Sequence, residues 1–141
     1  MTSPKRFTIP VEVRFRDLDV LGHVNNAVYL TYMESARMAW WFHVTRKRDL
    51  RDIGVILARI EVDFRSPASY GDTLDVGVAC ASIGRSSFAL ELDVTDHRTR
   101  RLVAEGRAVM VRFDYAANRP VPISGELRQL ILAQDPEARP G

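Results

Sequence analysis

Hydrophobic and polar residues alternate along most of this chain, and one long apolar segment interrupts the alternation. Residues 7–16 place Val11, Val13 and Phe15 on one face, which predicts a half-buried strand. From residue 26 to about residue 42 the period becomes that of a helix, and only a narrow stripe of that helix is polar. A helix that is apolar over most of its circumference is buried on most sides, so we expect it at the centre of the domain.

Four further alternating segments predict strands at residues 55–65, 73–82, 87–95 and 102–113. The connections between them are too short for a crossover helix, which predicts mostly antiparallel pairing. In the last of these strands Ala104, Gly106 and Ala108 share one face, and such small residues would let a helix approach closely. The pattern predicts an α+β fold in which a curved, mostly antiparallel five-stranded sheet wraps a long central helix. A short amphipathic helix is expected at residues 124–133.

Length and composition narrow the classes of function. The 141 residues fit one domain, expected to span residues 1–141. A net charge of +2, with the basic residues spread along the chain, argues against nucleic acid and suits an anionic small ligand or an acidic carrier protein. A single cysteine, Cys80, excludes an internal disulfide. No apolar run approaches a membrane span and residues 1–6 hold no signal-peptide core, so we expect a cytoplasmic, soluble protein without a membrane partner.

The candidate chemistry lies between the first strand and the long helix. Asp17, Asp19, His23, Asn25 and Asn26 are crowded into this short connection. The start of a helix supplies free backbone N–H donors and a partial positive charge. A carboxylate held near such donors, with an imidazole close by, suits acyl transfer.

Residues 16–29 closely resemble the signature of the 4-hydroxybenzoyl-CoA thioesterase family, which has the hotdog fold. The segment is also similar to the Asp…His-Val-Asn-Asn segment of fatty acyl-ACP thioesterases and long-chain acyl-CoA thioesterases. The similarity extends to Glu34 and Arg37, to Gly71 and Asp72, and to residues 84–88, and so covers most of residues 7–115. It implies an acyl-CoA thioesterase that hydrolyses its substrate to a carboxylic acid and CoA without a metal or a redox cofactor.

The same resemblance assigns the catalytic residues. Asp19 matches the catalytic carboxylate, and it would either attack the thioester to form an acyl-enzyme anhydride or position water as a general base. Asn26 matches the position whose backbone N–H polarises the thioester carbonyl. His23 matches a histidine of the acyl-ACP branch, although a role in holding the loop through a backbone hydrogen bond is equally open. Leu21 departs from that branch, which has asparagine at this position.

The resemblance also implies substrate-binding residues and a partner subunit. Arg85, Ser86 and Ser87 match a region that meets the pantetheine and phosphates of CoA in related enzymes, and Tyr29 belongs to a set of aromatic residues that could line the acyl pocket. The tunnel of this fold lies between subunits, and a curved sheet leaves an unpaired edge strand that a second copy can join. We therefore expect a homodimer or, more favoured, a homotetramer.

Other interpretations remain open or are rejected. An acyl-ACP thioesterase could use the basic residues 46–48 and Arg51 to dock an acidic carrier, and a non-catalytic module would bind acyl-CoA without turnover. Asp17 is expected to form a turn or an ion pair with Arg14 or Arg16, and the side chains of Asn25 and Asn26 to cap the helix. The Asp-x-Asp pair does not predict a haloacid-dehalogenase site, because the preceding strand alternates with arginines. Three candidate ligands on one loop are too few to predict a metal site.

Overall fold

The computed structural model describes residues 6–49 and 53–141, so part of the predicted loop after the long helix, residues 50–52, lies outside the described residues. The elements in chain order are β1 (Phe7–Glu12), α1 (Asn26–Thr45), β2 (Val55–Phe64), β3 (Thr73–Ile83), β4 (Ser87–Asp96), β5 (Leu102–Asp114), β6 (Arg119–Pro120), α2 (Gly125–Gln134) and β7 (Arg139–Pro140). A 3-10 helix, Phe15–Asp17, lies between β1 and α1.

Five long strands form one sheet in the order β1-β3-β4-β5-β2, and every neighbouring pair of these strands is antiparallel. Two short strands extend it, because β6 pairs with β5 and β7 pairs in parallel with β3. The predicted arrangement of a long helix with a mostly antiparallel sheet is confirmed. In this order β2 ends the sheet, and β5 is its only neighbour in the described part of the chain.

The core lies between α1 and one face of the sheet. Directly opposed residues share a face, so Val78, Leu92 and Gly106, which follow one another across β3, β4 and β5, lie on the same side. Trp40 and Met33 of α1 are completely buried, and Phe88 of β4 lies under Trp40 with its ring centroid 5.8 Å away. The helix is therefore the centre of the hydrophobic core, as the sequence predicts.

The other face of the sheet is charged. Arg6 crosses this face and forms an ion pair with Asp93 of β4 at 2.7 Å. Glu61 and Arg107 are directly opposed on β2 and β5, and both are exposed. Alternation along each strand thus separates a buried apolar face from a polar one.

The structure moves two predicted boundaries, both for local reasons. β1 ends at Glu12 rather than at residue 16, because the carboxylate of Asp17 accepts the backbone N–H of Arg14 at 3.0 Å and bends the chain into the 3-10 helix. α1 continues past residue 42 to Thr45 and ends where Arg46 takes a left-handed conformation, with φ of 60°. Left-handed residues commonly end helices, although glycine is the usual choice.

A buried carboxylate joins α1, β3 and the segment after α2. Asp135 accepts hydrogen bonds from the indole N–H of Trp40 at 3.0 Å and from the backbone N–H of Cys80 at 2.9 Å. Burial raises the pKa of Asp135 and raises the pKa of the Cys80 thiol to about 12. Cys80 is thus an unreactive buried thiol, since the thiolate is the reactive form.

Within the described residues, no helix has both the length and the apolar character needed to cross a membrane.

Candidate active site

A tight turn presents Asp19 at the entrance to α1. The backbone N–H of Asp19 donates to the carbonyl of His23 at 2.8 Å, and the N–H of Gly22 donates to the carbonyl of Asp19 at 3.1 Å. Leu18 and Val24 pair as an antiparallel bridge just outside the turn. This is a three-residue hairpin loop, which requires a left-handed residue before its closing pair, and Gly22 supplies it with φ of 82°.

The turn engages one oxygen of the Asp19 carboxylate. Oδ1 accepts the backbone N–H of Leu21 at 2.8 Å and that of His23 at 3.4 Å. Oδ2 has no hydrogen bond to any other described residue, and the residue is half-buried. The short contact of Asp19 with the N–H two residues on is the local hydrogen bond that favours aspartate in turns. The carboxylate is consequently fixed in orientation while one oxygen stays available.

Asp17, two residues earlier, is arranged differently. It is 2% exposed and accepts hydrogen bonds from the Arg14 guanidinium at 2.9 Å and the Tyr32 hydroxyl at 2.7 Å. Burial acts to raise the pKa of Asp17, but the hydrogen bonds from Arg14 and Tyr32 outweigh it and hold that pKa below its usual value. The predicted ion pair of Asp17 with Arg14 is confirmed, and this carboxylate has a structural role.

The start of α1 leaves one donor unused near the turn. The side chain of Asn25 caps the helix by accepting the N–H of Ala27 at 2.9 Å, and the N–H of Val28 donates to the carbonyl of Asn25 at 2.9 Å. Asn26 is the first helical residue, and its N–H donates to no other described group. The predicted capping is confirmed for Asn25, and it isolates the Asn26 N–H as the open donor at the positive end of the helix.

A second loop fixes the turn from the other side. The N–H of Val24 donates to the carbonyl of Ala68 at 2.9 Å, and His23 forms a β-bridge with Ser69. The N–H of Asn25 donates to the carbonyl of Asp17 at 2.9 Å, which ties the turn to the 3-10 helix. Asp19 and the helix start therefore belong to one hydrogen-bonded unit.

His23 has a fixed backbone and an exposed ring. Both its N–H and its carbonyl bond to Asp19, as described above, whereas the imidazole forms no hydrogen bond or ion pair with another described residue. The structure thus places the backbone of His23 in the loop and leaves its side chain exposed to solvent.

Tyr29 lies one turn into α1. It is 3% exposed and packs against Phe64, with ring centroids 5.6 Å apart. Burial is the main cause that raises the pKa of the Tyr29 hydroxyl, and the negative charge of Asp19 adds to it. A hydrogen bond with the backbone of Ala68 acts in the opposite direction. Tyr29 is therefore a neutral phenol, and the charge of Asp19 helps to keep it protonated.

The structure does not bring Arg85, Ser86 and Ser87 to Asp19 of the same chain. Arg85 and Ser86 lie in the turn between β3 and β4, and Ser87 begins β4. The turn is held by hydrogen bonds from the backbone N–H of Arg112 to Ser86 and from that of Ile123 to Arg85. The Asp19 loop joins the opposite end of β3, where the N–H of Val13 donates to Asp72. The strand between them has eleven residues and so measures on the order of 30 Å.

Large apolar side chains surround the turn on the outside. Val20 and Leu21, at its tip, are fully and 77% exposed, and Phe15 and Tyr70 are 79% and 65% exposed. The rings of Phe15 and Tyr70 contact each other edge to face at 6.2 Å. Clustered exposed apolar groups of this kind mark a surface that binds another molecule.

Asp19 does not line the cavity beside Asp135, and no metal site is found among the described residues. A cavity of about 790 Å³ lies against Cys80 and Asp135 and is not lined by Asp19. Among the described residues, no group of three histidine, cysteine or acidic side chains is placed to hold a metal ion.

The sequence did not indicate that Tyr32 is a partner of Asp17 or that Gly22 shapes the turn. Tyr32 holds Asp17, and Gly22 allows the turn that presents Asp19. A usable signal exists for Tyr32, because a tyrosine buried in an apolar helix needs a partner for its hydroxyl. The signal for Gly22 is its place three residues after an aspartate in a short loop.

A long helix packed on a curved antiparallel sheet, with an acidic turn at the helix start, defines a hotdog-type thioesterase. The model of the thioesterase-like superfamily matches residues 13–131. The chain belongs to that superfamily and is a thioester hydrolase.

Individual relatives agree with this assignment. The chain is 27% identical over 124 residues to the long-chain acyl-CoA thioesterase FadM of Escherichia coli, covering 84% of this chain and 92% of that protein. It is 40% identical to a thioesterase from Thermus thermophilus whose crystal structure contains coenzyme A and zinc, with a TM-score of 0.83 and coverage of 92% and 93%. A predicted thioesterase from Bacillus stearothermophilus, 24% identical, shares the fold with a TM-score of 0.86 over 93% of this chain and 97% of its own.

Proposed function

We propose that this chain is an acyl-CoA thioesterase, with residues 1–141 as one domain, in which Asp19 drives hydrolysis of the thioester. The observation that carries the proposal is the Asp19 turn, which holds Oδ1 with backbone donors and leaves Oδ2 without a described partner in the connection that leads into α1. Substrate chemistry is supported by the similarity to FadM and to a thioesterase that binds coenzyme A. Catalysis needs no metal or redox group in this scheme, because a thiolate is already a good leaving group.

The Asp19 carboxylate has two possible roles with the same geometry. As a nucleophile, Oδ2 adds to the thioester carbonyl, CoA thiolate leaves with a proton from solvent, and water hydrolyses the resulting anhydride. As a general base, Oδ2 orients a water molecule and takes its proton as that water attacks. In both cases the backbone donors on Oδ1 prevent rotation of the carboxylate, so positioning is built into the turn.

The oxyanion is assigned to the Asn26 N–H. The capping by Asn25 satisfies Ala27 and Val28 and leaves Asn26 as the free donor of the first turn among the described groups. A backbone donor at a helix start is fixed before the reaction begins and gains from the helix dipole, which is the arrangement that stabilises a developing negative charge. Because the donor belongs to the backbone, the side chain of residue 26 is of little importance for this role.

His23 and Tyr29 are assigned to the substrate. The exposed imidazole of His23 is free to contact the thioester region or to assist Asp19, since its backbone alone holds the loop. Tyr29 closes the inner wall of the site as a neutral, buried phenol. With Phe64 it provides an aromatic surface for the acyl group.

A second copy of the chain is needed to complete this site. Arg85, Ser86 and Ser87 are assigned to the pantetheine and phosphates of CoA, but within one chain they lie a whole strand length from Asp19. A dimer in which the turn of one copy approaches the Asp19 loop of the other would unite both halves and cover the exposed residues around the turn. We propose a homodimer as the functional unit, a homotetramer as the end state and a cytoplasmic location.

An acyl-ACP thioesterase is the second candidate. It is favoured by the run of exposed basic residues directly after α1, Arg46, Lys47 and Arg48, which suits an acidic carrier. Arg51, the fourth predicted member of that patch, lies outside the described residues. A non-catalytic acyl-CoA-binding module has less support, because it would have no use for the oriented carboxylate of Asp19.

Release of free thiol from a panel of short, medium, long and aryl acyl-CoA substrates tests the proposal. Wild-type turnover that collapses in a folded Asp19→Asn variant, but persists in Asp63→Asn, supports it. The control removes an exposed carboxylate on the other face of the sheet. Wild-type silence on CoA substrates together with turnover of acyl-ACP would favour the second candidate, and activity that survives Asp19→Asn would overturn the assignment of the carboxylate.

A further inference from the structure

Arg37 is a buried cation without a partner among the described residues. It lies in the middle of α1 and is 5% exposed. Its Nε is buried and makes no hydrogen bond, and the guanidinium forms no ion pair within the described part of the chain. Burial lowers the pKa of Arg37, while the charge of nearby Glu34 acts in the opposite direction. A buried charge in this state is destabilising unless another molecule supplies an anion.

An open cleft lies directly at this cation. A cavity of about 140 Å³ separates α1 from the edge strand β2. Its lining consists of Leu30, Thr31, Glu34, Arg37, Leu57 and Ile60. Leu30 and Leu57 are 40% and 42% exposed, so both walls of the cleft present apolar surface to solvent.

The only anion in this lining belongs to the same helix face but does not reach Arg37. Glu34 is exposed and lies three residues before Arg37, and the two side chains form no ion pair within 4 Å among the described residues. The pairing of Glu34 with Arg37 inside one chain, favoured by their spacing, is therefore not formed. A carboxylate on one side and a cation on the other make the face complementary to itself.

We propose that a second copy of this chain covers the cleft, and that Arg37 of each copy pairs with Glu34 of the other. The proposal rests on the dimer of the proposed function and names the contact that specifies it. A two-fold axis through the helix face between the two residues would bring each cation against the opposite anion, as an isologous contact requires. Residues three apart rise by about 4.5 Å along the helix, so antiparallel copies of α1 can form both pairs at once.

Two features favour a second copy over a small anion. β2 has one free edge in the described part of the chain, and an unpaired edge is the usual place for a sheet to continue into another subunit. The exposed leucines on both walls would be buried by a protein surface, whereas a small anion would leave them in water. A protein partner also explains why the cation is kept at an apolar cleft, because ion pairs at such positions fix the register of an interface.

Charge reversal on separate chains tests the pairing directly. One chain carries Glu34→Arg and the other Arg37→Glu, each with a different tag, and the two are co-expressed and weighed by native mass spectrometry. In a mixed dimer both crossed pairs are opposite in charge, whereas each like dimer contains two repulsive pairs. We expect mixed dimers to exceed like dimers by at least about tenfold, because like charges placed together at an interface strongly disfavour association.

The design separates a contact between chains from one within a chain. Each variant chain repels itself internally, so pairing within a chain would give no preference for mixed dimers. A statistical distribution, or a wild-type protein that is monomeric, would overturn the proposal. If either variant fails to fold alone, recovery of both chains only on co-expression supports it, and recovery of neither overturns it.

Two controls complete the test. The chains Asp75→Arg and Arg100→Asp, which reverse an exposed ion pair within one chain at 2.7 Å, should give a statistical distribution. Thiol release from wild type is measured on the same preparations, and it tests the enzymatic assignment separately from the preference for mixed dimers. A silent wild type with a strong preference for mixed dimers would overturn the enzymatic assignment and leave the interface in place.

Discussion

Two aspartates separated by one residue have opposite environments in this molecule. Asp17 is almost completely buried, and four donors from Arg14 and Tyr32 occupy its carboxylate. Asp19 is half-buried, and backbone N–H groups of its own turn occupy one of its oxygens while the other has no described partner. The chemical group is the same in both positions, so its role depends on which oxygens are already satisfied.

The difference follows from the local backbone. The chain around Asp17 forms a 3-10 helix that directs the carboxylate inward to α1 and back to Arg14. The chain around Asp19 forms a hairpin turn that directs the carboxylate toward the backbone N–H groups of that turn. A fully paired acid stabilises the fold, and a half-paired acid is available for substrate.

The largest effect is expected from replacing Asp19 with asparagine. Thiol release should fall by at least about 10³-fold, because the amide is neither a nucleophile nor a base. The same turn hydrogen bonds can form to the amide oxygen, so the midpoint of urea unfolding should stay close to that of wild type. A variant that loses activity only in proportion to lost folded protein would contradict the catalytic role.

The replacement Asp17→Asn should show the reverse pattern. We expect the free energy of unfolding to drop by about 1–3 kcal/mol, because the buried hydrogen bonds of Arg14 and Tyr32 lose their charged acceptor. The remaining folded enzyme should keep most of its turnover. Urea titration measures the loss, with Asp63→Asn as the exposed control, and an unchanged midpoint would show that the buried pair does not stabilise the fold.

Gly22→Ala tests the turn that presents Asp19. A Cβ at this position meets no atom within 4 Å, so the cost comes from the left-handed backbone alone and should be about 1–2 kcal/mol. Activity should fall as well, because relaxation of the turn misplaces the carboxylate. Gly125→Ala is the matched control: its Cβ also meets nothing, the backbone is ordinary, and a slight gain in stability is expected.

The smallest effect is expected for Tyr32→Phe, whose loss of stability should depend on pH. Tyr32→Phe should cost about 1 kcal/mol at neutral pH, since it removes one hydrogen bond to the charged Asp17. The folded pKa of Asp17 is below its unfolded value, which is near 4, so this stabilisation is complete above that pH. It is lost as the pH falls through the folded pKa. Urea titrations of both proteins should therefore converge at acidic pH, and a constant gap would contradict the assigned cause.

The strands were predictable because their signal is local. Alternation located β3, β4 and β5 to within one residue at each end, and the change of period located the start of α1. The end of β1 was missed because it depends on a hydrogen bond from Arg14 to Asp17, which has no periodicity. β2 and β3 follow one another in the sequence but are not neighbours in the sheet, because β2 pairs with β5. Pairing between strands that are distant in sequence leaves no local pattern in either segment.

The site was predictable in its residue types and less so in its geometry. The sequence indicated Asp17 as structural and Asn25 as a cap, and both are confirmed. It did not indicate that Arg85–Ser87 lie at the far end of β3, because the distance between two loops depends on how the strands between them run. The orphaned state of Arg37 among the described residues was also hidden, since Glu34 lies three residues before it, a spacing at which a pair within the helix can form.

In the hairpin that holds Asp19, backbone hydrogen bonds fix the carboxylate, whereas the side chains at the tip are exposed to solvent. Its hydrogen bonds involve the backbone of Asp19, Leu21, Gly22 and His23 and the carboxylate of Asp19, while the side chains of Val20 and Leu21 at the tip make none of them. Side chains at those two positions can therefore change without breaking a hydrogen bond that holds the Asp19 carboxylate. The turn thus keeps the Asp19 carboxylate in place independently of the side chains that its tip presents to solvent.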